Sequence, residues 1–470
     1  MEINQRMSNR FAWLLGVAGL VSIGALVACG SSYNASSDGL LLVGSQGSGL
    51  IETFSFNLNN GGSSAITNTP TDTSGQVCVL NGIPSSIVID PAGAYAYTII
   101  NANSSCDTIA NPNLSTTGIL AFKVNSDGTT TQVGKQVPFN QETVTILGTT
   151  STTSAPVVPS VMMMDPAGKY LFVADRATTD SNLLYLPGAV SVFAIGSGGS
   201  VMEVAGSPFF TSNAPTTLQQ SGLDIISVAA TPTVYPAIGI NGVQNSVCST
   251  AGLPPPTSQY LYAVDTLGYQ VFEFVVNTTS GALTNPTNAS QEPVFPTDQS
   301  PVGVAVDPCN RFVYVSDSLT DKVNAYTMCN GSPNQSSNQC PQTPDGRLVP
   351  APGSPFSLSG SNIDAGPLVV DPYGNYVYVL GTHSNTINVL KISPVSGALT
   401  SSSPPTVATG LGPVALAIRG DDNWLFVANF GTGGSGGTTV SQYSVTPATG
   451  ALNALPAIQT DNYPFGVAVK

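Results

Sequence analysis

One hydrophobic pattern recurs along the chain: an apolar strand, a tight turn centred on Asp-Pro-x-Gly, and a second strand rich in Tyr, Phe and Val. In this turn the Asp side chain caps the backbone, Pro presets the next φ angle, and Gly permits a left-handed exit. The two strands should therefore pair as an antiparallel hairpin. Clear copies of the pattern span 86–100, 161–175, 303–317 and 367–381, and weaker copies span 225–265 and 415–429.

Two more strands follow each hairpin. A third strand with alternating apolar residues spans 190–195 and 387–392 in two copies, and Gly-Ala-Leu at 281–283, 397–399 and 450–452 marks the return into a fourth strand. Four antiparallel strands per repeat form the blade of a β-propeller. Beyond residue 28 no apolar spacing of three and four is sustained, so the pattern predicts an all-β protein.

The termini carry two halves of one repeat. Residues 466–470 form an isolated first strand and residues 40–43 an isolated second strand, which implies a ring closed by their pairing. A solenoid is excluded, because it needs capping repeats rather than a divided one. We therefore predict a seven-bladed β-propeller over residues 38–470, with the turns after the first strands at Asp90, Asp165, Thr231, Asp307, Asp371, Arg419 and Lys470.

The predicted blades are long. They average about 62 residues, against roughly 40–50 in typical four-stranded blades. The surplus predicts surface loops rather than extra domains, since it is rich in Pro, Ser, Thr and Asn. The largest loops are expected at 102–117, 140–157, 232–257 and 330–346.

Residues 1–28 have the features of a secretory signal: two arginines, an apolar run from Phe11 to Val27, and small residues before Cys29. The ending Leu-Val-Ala-Cys resembles the bacterial lipoprotein signal, in which that cysteine is acylated and becomes the mature N-terminus. Residues 29–37 would then be a flexible tether, and the protein would be lipid-anchored at the outer membrane, in the periplasm or at the cell surface. The alternatives are an uncleaved membrane anchor, since the run is near spanning length, or an ordinary signal with an incidental cysteine.

Acidic residues dominate the charged ones. The chain has 26 Asp and Glu against 12 Lys and Arg, a net charge of −14. Removing residues 1–28 takes away Glu2, Arg6 and Arg10, which leaves 25 acids and 10 bases. Such a surface repels nucleic acid and anionic lipid, so we expect no nucleic-acid partner and membrane contact through the anchor only.

Six cysteines follow the predicted lipidation site, an even number that favours disulfides in an exported chain. No Cys-x-x-Cys pair occurs, so a zinc site is not expected. Cys309 and Cys329 fall near the same open end of one predicted hairpin. The sequence therefore predicts one bridge among Cys309, Cys329 and Cys340, and another between Cys78 and Cys106.

The motif Pro-x5-Asp-Pro-x-Gly-x-Tyr-x-Tyr-Val-x-Asp/Asn, followed by a strand that ends in a Gly-x-Leu hairpin, resembles the seven-bladed lactonase-like propellers. This superfamily holds the cycloisomerase-type 6-phosphogluconolactonases and the YVTN surface-layer repeats. The resemblance covers nearly all of residues 38–470 and implies hydrolysis of sugar lactones by polar residues at the axial end of the ring. The chain departs from the family where active members carry Pro-His, because its prolines are followed by Ser85, Ser160, Val302, Val414 and Phe465.

Candidate functional residues lie where the second strands are predicted to end. His383 is the only histidine, in the predicted loop 381–385, and is the candidate general base. The lactonase hypothesis gives His383, Arg176, Asp175 and Asp317 the roles of base, acid and oxyanion partner. Candidate ligand-binding residues on the same face are Asp265, Asp321, Asn429 and Asp364, joined by Asp224, Asp298 and Asp461.

These residues have a structural alternative. Asp commonly ends strands and caps turns, a lone loop histidine is usually solvated, and Arg176 would then pair with a neighbouring aspartate. A ring of carboxylates around the axis is a hypothetical site for Ca²⁺ or a cationic ligand, because hard cations need several oxygens. No other cofactor is expected.

Two functions follow from this sequence. The first is a monomeric cell-envelope lipoprotein whose propeller binds or scaffolds envelope proteins or glycans through long polar loops. The second is a lactonase of the 6-phosphogluconolactonase type. The position of the His383 side chain, relative to the axis and to an acid, distinguishes the two.

Overall fold

The computed structural model describes residues 38–66, 82–102, 117–145, 152–155, 157–179, 185–210, 223–233, 258–286, 294–331, 340, 344–432 and 435–470. Within these ranges the chain is all-β, as predicted, apart from one turn of 3-10 helix, Ser197–Gly199. In the described part no helix is long and apolar enough to cross a membrane. The predicted signal, the tether, Cys29, Cys78 and Cys106 lie outside the described residues.

Seven antiparallel sheets confirm the seven-bladed propeller, and each runs outward from an innermost first strand. Blade 1 contains β35 (Pro464–Val469), β1 (Asp38–Ser45), β2 (Leu50–Asn57) and β3 (Ser63–Ile66); blade 2 contains β4 (Gly82–Ile89), β5 (Tyr95–Ala102), β6 (Gly118–Val124) and β7 (Thr130–Pro138); blade 3 contains β10 (Val158–Met164), β11 (Tyr170–Arg176), β14 (Ala189–Ile195), β15 (Val201–Glu203) and β16 (Phe209–Phe210); blade 4 contains β17 (Ile225–Ala230), β18 (Gln259–Asp265), β19 (Gln270–Val276), β20 (Leu283–Thr284) and β21 (Val294–Pro296).

The remaining blades follow the same order. Blade 5 contains β22 (Pro301–Val306), β23 (Phe312–Asp317), β24 (Lys322–Met328), β25 (Leu348–Pro350) and β26 (Phe356–Ser357); blade 6 contains β27 (Ala365–Val370), β28 (Tyr376–Gly381), β29 (Thr386–Ile392) and β30 (Leu399–Ala408); blade 7 contains β31 (Pro413–Ile418), β32 (Trp424–Thr432), β33 (Ser435–Thr446) and β34 (Ala451–Gln459). Two small hairpins lie apart from the blades: β8 (Glu142–Thr145) with β9 (Thr152–Ala155), and β12 (Thr178–Thr179) with β13 (Tyr185–Leu186).

The ring closes through the predicted pairing of the two terminal strands. β1 and β35 run antiparallel, with Leu41 opposite Val469 and Val43 opposite Val467. At the end of this ladder the Lys470 N–H donates to the Leu40 carbonyl at 2.9 Å. Blade 1 therefore takes its first strand from the end of the propeller chain and its other strands from the beginning.

The hydrophobic core lies between blades rather than within them. Seven clusters of buried side chains are present among the described residues, and each joins two neighbouring blades. Phe56 of blade 1, for example, meets Phe426 of blade 7 with ring centroids 4.9 Å apart. Because each sheet is covered on both faces, the second strands are nearly continuous apolar runs, such as 170–174, rather than alternating ones.

The aromatic residue that begins each second strand in blades 2–7 lies over a glycine of the next blade. These glycines occupy the turns between third and fourth strands and have positive φ angles. A Cβ atom added to any of them would lie 2.1–2.9 Å from the aromatic ring, so only glycine fits. The pairs are Tyr95 with Gly199, Tyr170 with Gly281, Tyr260 with Gly346, Phe312 with Gly397, Tyr376 with Gly450, and Trp424 with Gly61.

A second aromatic residue strengthens three of these contacts. The hydroxyls of Tyr314 and Tyr378 each donate to the carbonyl of the glycine in the next blade, both at 3.1 Å, and Tyr262 does the same to Gly346. The Tyr-x-Tyr and Gly-x-Leu motifs, which the sequence placed within blades, therefore also connect one blade to the next.

We call the surface formed by the Asp-Pro turns and the third-to-fourth turns the lower face. Here contacts between neighbouring turns, polar at six of the seven junctions, join consecutive blades around the axis. The seven junctions, from blades 1–2 to blades 7–1, are Lys470 Nζ to Gly93 O, Pro91 packed on Gly168, Gln259 to Asp165, Asn310 to Pro232 O, Arg311 to Gly374 O, Asp371 with Asp422, and Arg419 to Lys470 O.

The structure adds two details that the sequence did not predict, and it tests one predicted disulfide. In blades 3–5 two short strands share the position of the fourth strand. In blades 3 and 5 a Gly-Ser-Pro segment, at 206–208 and 353–355, separates the two strands, because the backbone of proline has no N–H to donate to the neighbouring strand. The loop predicted at 140–157 contains the hairpin β8–β9. Cys329 is bonded to Cys340, which confirms one bridge in the predicted group, and Cys309 is disulfide-bonded as well.

Candidate functional site

We call the opposite surface, formed by the second-to-third turns and by the segments that lead into the first strands, the upper face. Backbone hydrogen bonds tie these two sets of segments together in five blades, which makes each pair one local unit. The residue after the second strand donates to the residue shortly before the first strand in the pairs Thr266–Asp224, Ser318–Ser300, Thr382–Asp364, Phe430–Gly412 and Gln46–Tyr463. All candidate site residues that the structure describes lie on this face.

A β-bulge interrupts every first strand near its upper end. The ladder register shifts after Pro84, Pro159, Ile225, Pro301, Ala365 and Pro413, and between Pro464 and Gly466. Bulges re-aim side chains and are frequent beside binding sites. The bulged residues include Ile226, Val302, Val414 and Phe465, and none of the seven bulges contains an ionisable side chain.

Aromatic residues gather on the upper face where blades 7 and 1 meet. The Phe430 ring lies 5.1 Å from the ring of Tyr463 and 5.8 Å from the ring of Phe465, centroid to centroid. Phe465 is one of the bulged residues. The sequence analysis did not single out this cluster, because its members are adjacent only once the ring closes.

Arg176 is held in an ion pair between blades 3 and 4. Its Nη2 lies 2.7 Å from Oδ2 of Asp224, and this hydrogen bond raises the pKa of the guanidinium. Asp224 also accepts the Ala177 N–H, while its own N–H donates to Asp265 at 2.9 Å. Asp175 is fully buried at the end of the same strand. Both charges of the pair are therefore satisfied by each other and by the backbone.

Asp265 and Asp317 cap the turns that follow their own strands. Asp265 accepts from the Leu267 N–H and the Gln270 side chain, and burial raises its pKa. Asp317 accepts from the hydroxyl and the N–H of Thr320, and burial raises its pKa too. Both carboxylates serve the backbone geometry of their hairpins.

Asp321 and Asp364 make similar local contacts. Asp321 accepts the Ile363 N–H at 3.2 Å, and Asp364 accepts the Thr382 hydroxyl at 2.8 Å. Asn429 is buried and donates to the hydroxyls of Thr439 and Ser441, both at 3.0 Å. Asp321 thus connects blade 5 to blade 6, whereas the contacts of Asp364 lie within blade 6 and those of Asn429 within blade 7, so the three candidates do not share one set of partners.

His383 lies at the tip of the turn between β28 and β29 and is exposed. Its backbone N–H donates to Ile363 O at 3.1 Å, and its carbonyl accepts from Asn385. Across the described part of the chain no carboxylate is within ion-pair distance of its imidazole. Asp364, in the adjoining segment before β27, accepts a hydrogen bond from the Thr382 hydroxyl instead.

Two pairs on this face were not recognised in the sequence. Lys322 Nζ lies 3.0 Å from Oδ2 of Asp298, in blade 5. In blade 1 Glu52 accepts from the Ser45 hydroxyl and from the Asp461 N–H, and burial raises the pKa of its carboxyl. Glu52 and Asp461 are 409 positions apart in the sequence. Lys322 and Asp298 are 24 positions apart, in a segment that differs from blade to blade. Neither contact could therefore be read from the repeat. No group of three or more His, Cys, Asp or Glu that could hold a metal is found in the described ranges.

The upper face has few positive charges. All ten Lys and Arg beyond residue 37 lie in described ranges, and only Arg176 and Lys322 are on this face, each paired with an aspartate. A phosphate group would need unpaired donors of this kind. The described part of the upper face thus offers capping carboxylates, seven bulges without ionisable side chains and one exposed histidine, on a seven-bladed propeller.

No protein-family model and no curated protein matches the chain. Solved structures do match. The periplasmic gluconolactonase of Pseudomonas aeruginosa is 18% identical with a TM-score of 0.60, over 92% of this chain and 99% of that one. A candidate 6-phosphogluconolactonase of Bacteroides fragilis is 17% identical with a TM-score of 0.60, over 94% and 100%. At these identities the likeness shows the fold alone, a propeller that the chain shares with these two proteins.

Proposed function

We propose that the chain is a lipid-anchored binding module of the bacterial cell envelope, and that its upper face recognises an envelope macromolecule. The observation that carries this proposal is the environment of His383. Hydrolysis by a general base needs an imidazole held by an acid close to the reacting group. His383 is exposed and, among the residues that the structure describes, has no carboxylate within ion-pair distance; the sequence contains no second histidine.

The candidate electrophilic groups support the same conclusion. Arg176 is paired with Asp224, and Lys322 is paired with Asp298. Asp317 and Asp265 cap turns, so a substrate would have to displace backbone hydrogen bonds to reach them. Binding needs none of these groups to be free.

The alternative function is a lactonase. The fold likeness to the Pseudomonas aeruginosa gluconolactonase favours it. An uncharged lactone would suit the upper face better than a phosphorylated one, because both bases on this face are already paired.

The experiment compares purified 38–470 with its His383→Ala variant, using gluconolactone and 6-phosphogluconolactone. We expect both proteins to leave the spontaneous rate of lactone opening unchanged. Turnover by the wild type that the variant lacks would establish the lactonase instead.

The lipid anchor has its own test. Cys29→Ala in the full chain should move the protein from the membrane fraction to the soluble fraction, and metabolic labelling with palmitate would measure the acylation directly.

A further inference from the structure

The two faces of the propeller differ in charge. Apart from the β8–β9 hairpin, the described residues of the upper face include nine acids and two bases. Seven of the other eight bases lie at the lower ends of strands or in lower-face turns, and Lys135 lies on a fourth strand. The upper-face acids are Glu52, Asp175, Asp224, Asp265, Asp298, Asp317, Asp321, Asp364 and Asp461.

The same face exposes large apolar side chains. Leu267 and Tyr269 in the blade 4 turn are 52% and 45% exposed, and Leu319 in the blade 5 turn is 67% exposed. Leu411, in the segment leading into blade 7, is 58% exposed. Isolated surface leucines need no explanation, but three leucines and a tyrosine on one face, in the blade 4 and blade 5 turns and in the segment before blade 7, indicate a contact surface.

Hydrogen bonds connect these turns into one continuous surface. Thr297 donates to Tyr269 O, which links the blade 4 turn to the segment before blade 5. Asp321 accepts from Ile363, which links the blade 5 turn to the segment before blade 6. Gly412 donates to Asn385, which links the blade 6 turn to the segment of Leu411. A partner would therefore meet a preorganised surface, so little ordering entropy opposes binding.

We propose that the upper face of blades 4 to 7 binds a polypeptide segment that carries both cationic and apolar side chains. This proposal rests on the proposed binding function and names its partner class. The exposed leucines and Tyr269 supply apolar contact, and the exposed carboxylates of Asp364 in blade 6 and of Asp461, which follows the last strand of blade 7, supply the complementary charge. An acidic partner would be repelled by the same carboxylates, and a purely polar glycan would leave the leucines in water.

The test is a fluorescence-anisotropy titration of purified 38–470 with three short labelled peptides, made of Lys and Leu, of Lys and Ser, or of Glu and Leu. We expect the Lys-Leu peptide to bind most tightly and the Glu-Leu peptide not to bind. Because part of the attraction is electrostatic, added salt should weaken Lys-Leu binding. Equal binding of Lys-Leu and Glu-Leu peptides would overturn the assigned charge preference.

Variants locate the surface. Leu319→Ser with Leu411→Ser should raise the Kd of the Lys-Leu peptide by about tenfold or more, because each buried leucine contributes on the order of 1 kcal/mol or above. The matched control is Met202→Ser with Val395→Ser, which changes side chains 70% and 89% exposed on other parts of the ring. Asp364→Asn with Asp461→Asn should weaken binding and reduce its salt dependence. Equal weakening by the control pair would refute the assignment.

Failure of this proposal and failure of the proposed function have different signatures. Lactone turnover that depends on His383 would overturn the binding function, whatever the peptides do. Absence of Lys-Leu binding, in a protein without turnover, would overturn the partner class alone. Dimerisation that the Leu319→Ser and Leu411→Ser pair abolishes, without peptide binding, would assign the surface to a second copy of the chain.

Discussion

The contact between Phe312 and Gly397 can be tested with a single methyl group. Gly397 has φ +73°, and a Cβ atom there would lie 2.5 Å from Cδ1 of the Phe312 ring in the preceding blade. Gly397→Ala therefore imposes two costs. An L-residue with positive φ costs about 1–2 kcal/mol, and overpacking a well-filled site costs about 1–3 kcal/mol. We expect the free energy of unfolding to fall by about 2–5 kcal/mol.

The structure offers a control that isolates the contact between blades. Gly198 lies in the corresponding turn of blade 3 with φ +72°, and an added Cβ would have nothing within 4 Å. Gly198→Ala should therefore cost only the backbone term, about 1–2 kcal/mol. The difference between the two variants measures packing against Phe312, since their backbone angles match.

Urea unfolding followed by tryptophan fluorescence is a suitable assay. Trp424 is the only tryptophan in residues 38–470, and it lies between blades 7 and 1, away from the mutated junction between blades 5 and 6. A shifted midpoint at Trp424 would show that the ring unfolds as one unit. Equal losses for Gly397→Ala and Gly198→Ala would refute the argument, as would failure of Phe312→Leu to restore part of the stability of Gly397→Ala.

Three further predictions concern the lower face and its surroundings. Burial raises the pKa of Asp371 to about 6, and burial together with repulsion from Asp371 raises the pKa of Asp422 to about 8. The folded state therefore binds more protons than the unfolded state, so the free energy of unfolding should fall as the pH rises from about 4 to 8. Asp422→Asn should flatten that slope in melting temperature against pH; an unchanged slope would contradict the raised pKa of Asp422. Arg311→Met leaves the buried Asp307 unpaired and should cost about 3–5 kcal/mol in urea unfolding, whereas Arg347→Met, at a partly exposed pair, should cost about 1 kcal/mol or less. Removing the Cys329–Cys340 bridge with paired Ser substitutions should cost roughly 2–3 kcal/mol, and dithiothreitol should then have a smaller effect on the variant than on the wild type.

The architecture could be predicted because its signals are local. An Asp-Pro-x-Gly turn specifies a hairpin from four adjacent residues, so the positions of Asp90, Asp165, Asp307 and Asp371 already indicate the repeat. The closing of the ring followed from a divided repeat, and Leu41 does lie opposite Val469. The blade repeat could be inferred from the period of the pattern, and the closing of the ring from the position at which one repeat is divided between the termini.

The site could not be predicted to the same depth, because its contacts are non-local. Asp224 was recognised as an upper-face acid, but the sequence does not say that its two oxygens serve Arg176 and Ala177. Lys322 and Asp298 are 24 positions apart in a part of the repeat where the blades differ. From the sequence, Gly397 and Gly450 can be recognised only as turn residues. The aromatic residues that they contact, Phe312 and Tyr376, are more than 70 positions away.

The position of Asp38, the first described residue, affects how a lipid-anchored propeller would be oriented relative to the membrane. Asp38 begins β1 at its lower end, since the next residues pair with the terminal strand near Lys470. A tether of nine residues, 29–37, reaches at most about 30 Å when fully extended. The proposed lipid at Cys29 would therefore attach beside the lower face, whose polar groups already join the blades. That arrangement would direct the acidic upper face, with its exposed leucines, away from the anionic membrane and toward a partner.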